Sequence, residues 1–120
     1  IYHGIVKDEL KKRNIIDQCS ILLCPSYSEG MPNVILEGMS RGLAIIATNV
    51  GAVSELVNKR NGILMNSNTC DDILNSIFIL LSLSEKDFIR MRLCSIDKIQ
   101  KNFVWSKLTK KLVFTLQNLV

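Results

Sequence analysis

The sequence has no apolar stretch long enough to cross a membrane as a helix. Its longest apolar runs, such as residues 77–81, fall far short of the ~20 residues a span requires. The beginning, Ile1-Tyr-His-Gly-Ile-Val6, has no basic start and no small-residue cleavage site, which argues against a secretory signal. It also has no initiator Met, so the chain reads as the middle of a longer protein. Metal-ligating residues are sparse: one histidine, His3, and four cysteines at 19, 24, 70 and 94, no two spaced Cys-x-x-Cys. Zinc sites draw on clustered Cys and His, so no metal is expected. Cys19, Cys24 and Cys94 sit in apolar patterns, where a free thiol behaves as a small hydrophobe. Reduced cysteines fit a cytoplasmic setting. No basic run is interleaved with aromatics, which removes nucleic acid as an expected partner. Internal repeats and low-complexity tracts are missing too.

What remains is a globular chain. Its 120 residues suffice for one domain, and 48% are hydrophobic against 22% charged. The net charge of +4 is spread over three basic clusters: Lys11, Lys12 and Arg13; Lys98 and Lys101; Lys107, Lys110 and Lys111. The plain reading is solvated helix faces. The other reading is peripheral contact with an anionic membrane surface, where each cation is worth about 1 kcal/mol.

Helix-like and strand-like patterns alternate along the chain. Residues 7–18 carry Leu10, Ile15 and Ile16 among charges and read as a helix. Ile21-Leu-Leu-Cys24, stopped by Pro25, reads as a strand buried on both faces. Residues 25–32 are rich in Ser, Gly and Pro and form a loop. Asn33 is expected to cap a helix over 34–41, which Gly42 ends. A second strand is expected over 43–48, a short helix near 54–58, a turn at Asn61-Gly62 and a third strand over 63–65. Thr69-x-x-Asp72 and Ser84-x-x-Asp87 resemble capping boxes opening helices to about Leu81 and Lys101. A last helix is expected over 106–119, with Trp105 packed in the core at its start. Such alternation implies a parallel α/β sheet, with ligands beyond the carboxyl ends of the strands.

That rule points to the loop between Cys24 and the next helix. Unpaired N–H groups and the helix dipole favour an anion there, and Gly30 removes side-chain bulk. Two carboxylates stand near it. Glu29 lies in the loop and Glu37 one turn into the helix. Helical side chains lean toward the N-terminus, so Glu37 is expected to reach back to the mouth that holds Glu29. A carboxylate can accept two hydroxyl donors of a vicinal diol. Spacing alone leaves the plainer alternative open: a solvated Glu29, and a Glu37 that merely favours the early helix.

The segment Pro25-Ser-x-x-Glu-Gly-x-Pro-Asn-x-x-x-Glu37 resembles the Glu-x7-Glu motif of the retaining glycosyltransferases of family 4, or group 1, which have the GT-B fold. Gly4-x-Val6, Gly51-Ala-Val-Ser-Glu55, Asn61-Gly-Ile-Leu64 and Phe103-x-Trp105 resemble the family's neighbouring segments, in order. The resemblance implies an incomplete, Rossmann-like, C-terminal donor-binding domain. Residues 1–68 would hold the sheet and donor-site portion and 69–120 the C-terminal helices. It implies that Glu37 binds the ribose diol of a UDP- or GDP-sugar and that Glu29, the candidate catalytic residue, lies by the reacting carbon. Backbone N–H groups of Gly30, Met31, Asn33 and Val34 would hold sugar hydroxyls and diphosphate, and residues Gly4 to Val6 would touch the base. The implied activity is retaining transfer to a lipid-linked, polysaccharide or other acceptor in cell-surface glycan synthesis, in the cytoplasm or at the inner face of the membrane.

Departures from the pattern limit what is carried over. Met31 stands for the usual Phe and Val53-Ser54 for Ile-Pro. The family's diphosphate-neutralising Arg and Lys, and its N-terminal acceptor domain, lie outside these residues. The chain alone is therefore expected to bind donor weakly and not to turn over. Two alternatives stay open: a non-catalytic nucleotide- or sugar-phosphate-binding module, and a UDP-sugar epimerase of the same fold.

Overall fold

A computed structural model describes residues 1–118. The first helix, α1 (Glu9–Asp17), opens where Asp8 accepts a hydrogen bond from the Lys11 N–H at 2.9 Å. Strand β1 (Ile21–Cys24) follows and stops at Pro25. Helix α2 (Asn33–Ser40) ends in a Schellman turn. There Gly42, at φ +70°, donates to the Met39 carbonyl, and Leu43 donates to that of Gly38. That bond holds Leu43 in the turn, so β2 (Ala44–Thr48) starts one residue later than the apolar run suggests.

The short helix α3 (Val53–Leu56) starts one residue earlier than expected and ends two residues earlier, because Val57 is extended. Strand β3 (Gly62–Met65) begins on the glycine itself. A Cβ at Gly62 would overlap the Ile45 carbonyl, so this glycine marks close strand packing as well as a turn. Asn61, buried, closes the turn by donating to the Leu56 carbonyl and accepting from the Asn58 N–H.

The three strands are parallel in the order β1-β2-β3, with Ile21 opposite Ala44 and Ile45 opposite Gly62. All five residues of β2 are buried. Alternation along β2 divides the core. Ile45 and Ala47 pack with Ile35, Met39, Leu56 and Val57 on one face. Ala44 and Ile46 pack with Met65 and Leu80 on the other.

Helices α4 (Cys70–Leu81), α5 (Glu85–Asn102) and α6 (Trp105–Gln117) complete the fold. Thr69 caps α4, but Asp72 does not close the capping box. Its carboxylate instead accepts from the N–H and hydroxyl of Ser67. Ser84 caps α5, and its hydroxyl also donates to the Asp87 carboxylate.

Two bonds tie α5 to the turn before β2. Arg92 Nε donates to the Gly42 carbonyl at 2.7 Å, and Ser95 Oγ to that of Leu43 at 2.8 Å. Ser95 is fully buried. Ser95→Ala strips the Leu43 carbonyl of this donor and is expected to cost about 1–2 kcal/mol, read as a shift of the urea midpoint at unchanged slope. An unchanged midpoint would show that the bond adds nothing.

Three expectations about packing fail: β1, expected to be buried on both faces, leaves Leu23 39% exposed. Trp105 is 80% exposed, and every described residue of α6 is exposed, because that helix meets the rest of the described residues only along one side, near Lys107 and Leu108. Position 119, where this helix was expected to end, lies outside the described residues. Cys19 is exposed, its thiol turned to the Ile15 carbonyl, while Cys24 is buried. All four cysteines are free.

Candidate functional site

The loops that leave β1 and β2 meet beyond the carboxyl ends of the strands, where open parallel sheets hold ligands. The Ala52 N–H donates to the Gly30 carbonyl at 2.9 Å. Gly51 has φ +53°, and a Cβ there would overlap the carbonyl oxygen of Glu29. Only glycine satisfies both the left-handed backbone and that approach. The loop after β3 joins them, with Asn68 Nδ2 donating to the Pro25 carbonyl at 3.4 Å.

Glu29 is half-buried in this cluster. Ser26 Oγ donates to its Oε1 at 2.6 Å, the length of a charge-assisted bond. Ser26 also lies 3.5 Å from the Cys24 thiol at the strand end. Ser26 stands in the motif, where the sequence alone assigns it no role. The Ser-x-x-Glu spacing was the available signal, since a loop serine often bonds a residue three positions on.

At the start of α2, Ile35 and Leu36 both donate to the Pro32 carbonyl. Among the described residues, the N–H groups of Gly30, Met31, Asn33 and Val34 have no acceptor. All four residues are exposed. Asn33 is the first helical residue and not the cap. Pro32 takes the cap position, with no side-chain bond. Proline has no polar side chain with which to cap, so the donors at the positive end of the helix dipole stay open.

Glu37 lies in a groove of about 350 Å³ between α1 and α2, with Glu9, Lys12, Arg13, Ile16, Ser40 and Arg41. Lys12 Nζ donates to Glu37 Oε1 at 3.1 Å and stands 3.1 Å from Glu9 Oε1. The bond to Glu37, and secondarily the one to Glu9, raise the Lys12 pKa above the usual lysine range. The ammonium therefore stays charged throughout the neutral range, and its contribution fades only as pH rises past that raised value.

Lys12 is thus more than part of a solvated face. Its pull also explains a difference at the two glutamates. The expected lean of Glu37 toward Glu29 is not realised as a shared contact: Glu29 turns to Ser26 and Glu37 to Lys12. Gly4, exposed at φ +63°, and the half-buried Val6 lie in the lead-in to α1, outside any helix or strand. Residues 1–7 make no hydrogen bond to the sheet among the described residues. Glu55 faces Lys98, whose pKa burial lowers and Glu55 partly restores.

Residues 1–82 match the sequence family described as glycosyl transferases group 1. An uncharacterized glycosyltransferase of Methanocaldococcus jannaschii is 37% identical over 92 residues, 75% of this chain and 25% of that protein. The UDP-Gal:alpha-D-GlcNAc-diphosphoundecaprenol alpha-1,3-galactosyltransferase of Escherichia coli is 37% identical over 65 residues, 53% of this chain and 17% of that protein. The chain spans a quarter of the first of these relatives and less of the second.

Solved structures agree in fold. The C-terminal domain of the group 1 glycosyl transferase LpcC from Francisella tularensis superposes with a TM-score of 0.74 at 25% identity, covering 85% of this chain and 52% of that one. HepE of Anabaena, solved with UDP, gives 0.78 at 20% identity, covering 87% and 29%. On the family match, with the fold in agreement, this chain belongs to the group 1 glycosyltransferases, as part of the C-terminal, Rossmann-like domain of their GT-B fold.

Proposed function

We propose that this chain supplies the donor side of a retaining glycosyltransferase and binds a UDP- or GDP-sugar at the loop from Pro25 to Glu37. The observation that carries the reading is the set of open backbone donors at the start of α2, with Glu29 beside it and Glu37 one turn on. Four unpaired N–H groups on exposed residues, Asn33 and Val34 in the first turn and Gly30 and Met31 in the loop before it, suit a diphosphate and sugar hydroxyls. Glu37 takes the ribose diol. Glu29, oriented by Ser26, faces the reacting carbon, where positive charge develops as the nucleotide leaves. Residues Gly4 to Val6 lie against the base. No metal is required, because the helix terminus and the cations of the complete protein neutralise the diphosphate.

Residues 1–120 are one incomplete domain in this reading, and an acceptor-binding domain completes the enzyme. HepE was solved with UDP and with UDP-glucose. The E. coli relative's name specifies a diphosphoundecaprenol-linked acceptor. By analogy the acceptor here is lipid-linked or a polysaccharide, and transfer takes place at the cytoplasmic face of a membrane. The test is an NMR titration of the complete protein with UDP- and GDP-sugars. Amide shifts concentrated in residues 29–37 are expected. Unmoved amides at about millimolar ligand, a weak-binding limit, would refute the site.

A further inference from the structure

We propose that Lys12 is a positioning residue for the donor: from α1 it holds the Glu37 carboxylate in the orientation that receives the ribose diol. The proposal rests on the reading of Glu37 given above and adds to it a residue from a different element, 25 positions earlier in the chain. Glutamate has several freely rotating side-chain torsions, and a half-exposed one samples many rotamers. The ammonium fixes this one through a single oxygen. Lys12 Nζ meets Glu37 Oε1 at 3.1 Å, and Oε2 has no partner among the described residues.

An ionised carboxylate offers about four lone-pair sites, so one bond to Lys12 leaves room for both hydroxyls of a vicinal diol. Lys12 is itself held. Asp8 caps α1 through the Lys11 N–H, and Glu9 grips the ammonium from one turn back at 3.1 Å. The groove's other cations are Arg13 and Arg41. Arg41 pairs with Asp17 at 3.3 Å, and Arg13 makes no ion pair among the described residues. Lys12 is therefore the cation that sets Glu37, through carbonyl-free, purely side-chain contacts that substitution can remove without touching the sheet.

The experiment uses the complete protein with UDP and 2′-deoxy-UDP as competing probes, and with GDP and 2′-deoxy-GDP in a parallel arm. Wild type is expected to favour the ribonucleotide of the base it accepts. K12M is expected to weaken ribonucleotide binding about tenfold while barely changing the deoxy form, so the ratio narrows. K12R should restore most of the ratio. The kcat at saturating donor should stay within about twofold, since the effect lies in binding. A purely structural role would weaken both nucleotides alike. E37Q separates the two readings. If E37Q collapses the ratio and K12M leaves it at the wild-type value, the Lys12 proposal is overturned and the Glu37 reading stands. If E37Q leaves the ratio unchanged, both fall.

Discussion

Gly51→Ala is expected to destabilise the domain by about 2–5 kcal/mol and to displace the loop that carries Glu29. Two independent costs add. At φ +53° the backbone is left-handed, which costs a residue with a Cβ about 1–2 kcal/mol. The new methyl also overlaps the carbonyl of Glu29 and crowds that of Gly30, and overpacking of this kind costs about 1–3 kcal/mol. The obstacle is backbone, so no rotamer change relieves it. The bond from the Ala52 N–H to the Gly30 carbonyl must stretch or break. Urea unfolding and amide shifts of residues 29–31 measure the two effects. Gly30→Ala is the control, because a Cβ there meets nothing within 4 Å. If both variants behave as wild type, the close approach of the two loops is not a constraint on the fold.

The same glycine shows what the sequence could and could not disclose. A Gly after a buried strand reads as a turn, and it is one. That it also touches Glu29, 22 positions earlier, depends on two loops meeting at one end of a sheet, which no local pattern encodes. The strands were legible because their apolar runs are bounded by Pro25, Gly42 and Asn61-Gly62, each a local break in backbone conformation. The stop of α2 at Gly42 was legible for the same reason. Cap geometry was not. Asn33 has the better capping side chain, yet the helix begins one residue earlier than expected, at Asn33 itself, with Pro32 in the cap position. Asp72 is correctly spaced for a capping box but finds Ser67 closer.

Trp105 failed for a different reason. Its aromatic bulk implies burial only where something covers it, and among the described residues nothing does. In the candidate site, the sequence singled out Glu29, Glu37 and the loop before α2 as candidates. It missed Ser26 and Lys12, the residues that orient those glutamates. Lys12 stood in a run of three basic residues, which fits an ordinary solvated face. Only the packing of α1 against α2 singles out one of the three.

The separate partners of Glu29 and Glu37 lead to opposite kinetic signatures. Glu29 is held by a neutral hydroxyl at the strand end, near the loop's open N–H donors. In the proposed role, its charge acts on what develops during transfer. Glu29→Ala is expected to lower kcat by roughly 10²–10³, the usual size for losing one preorganised electrostatic group, with donor affinity changed far less. In the proposed role, Glu37 binds the ribose, a part of the donor that does not change as the glycosidic bond breaks. An interaction equal in ground and transition states raises affinity without raising kcat. Glu37→Ala is therefore expected to weaken donor binding by roughly 10–100-fold, the equivalent of one charged hydrogen bond, at nearly unchanged kcat. Steady-state kinetics with the complete enzyme, paired with direct donor-binding measurements, resolves the two. Small, equal effects from both substitutions would strip both residues of these roles. A reversed pattern, with Glu37 controlling kcat, would place the reacting carbon in the α1–α2 groove beside Lys12 and not at the mouth of the loop.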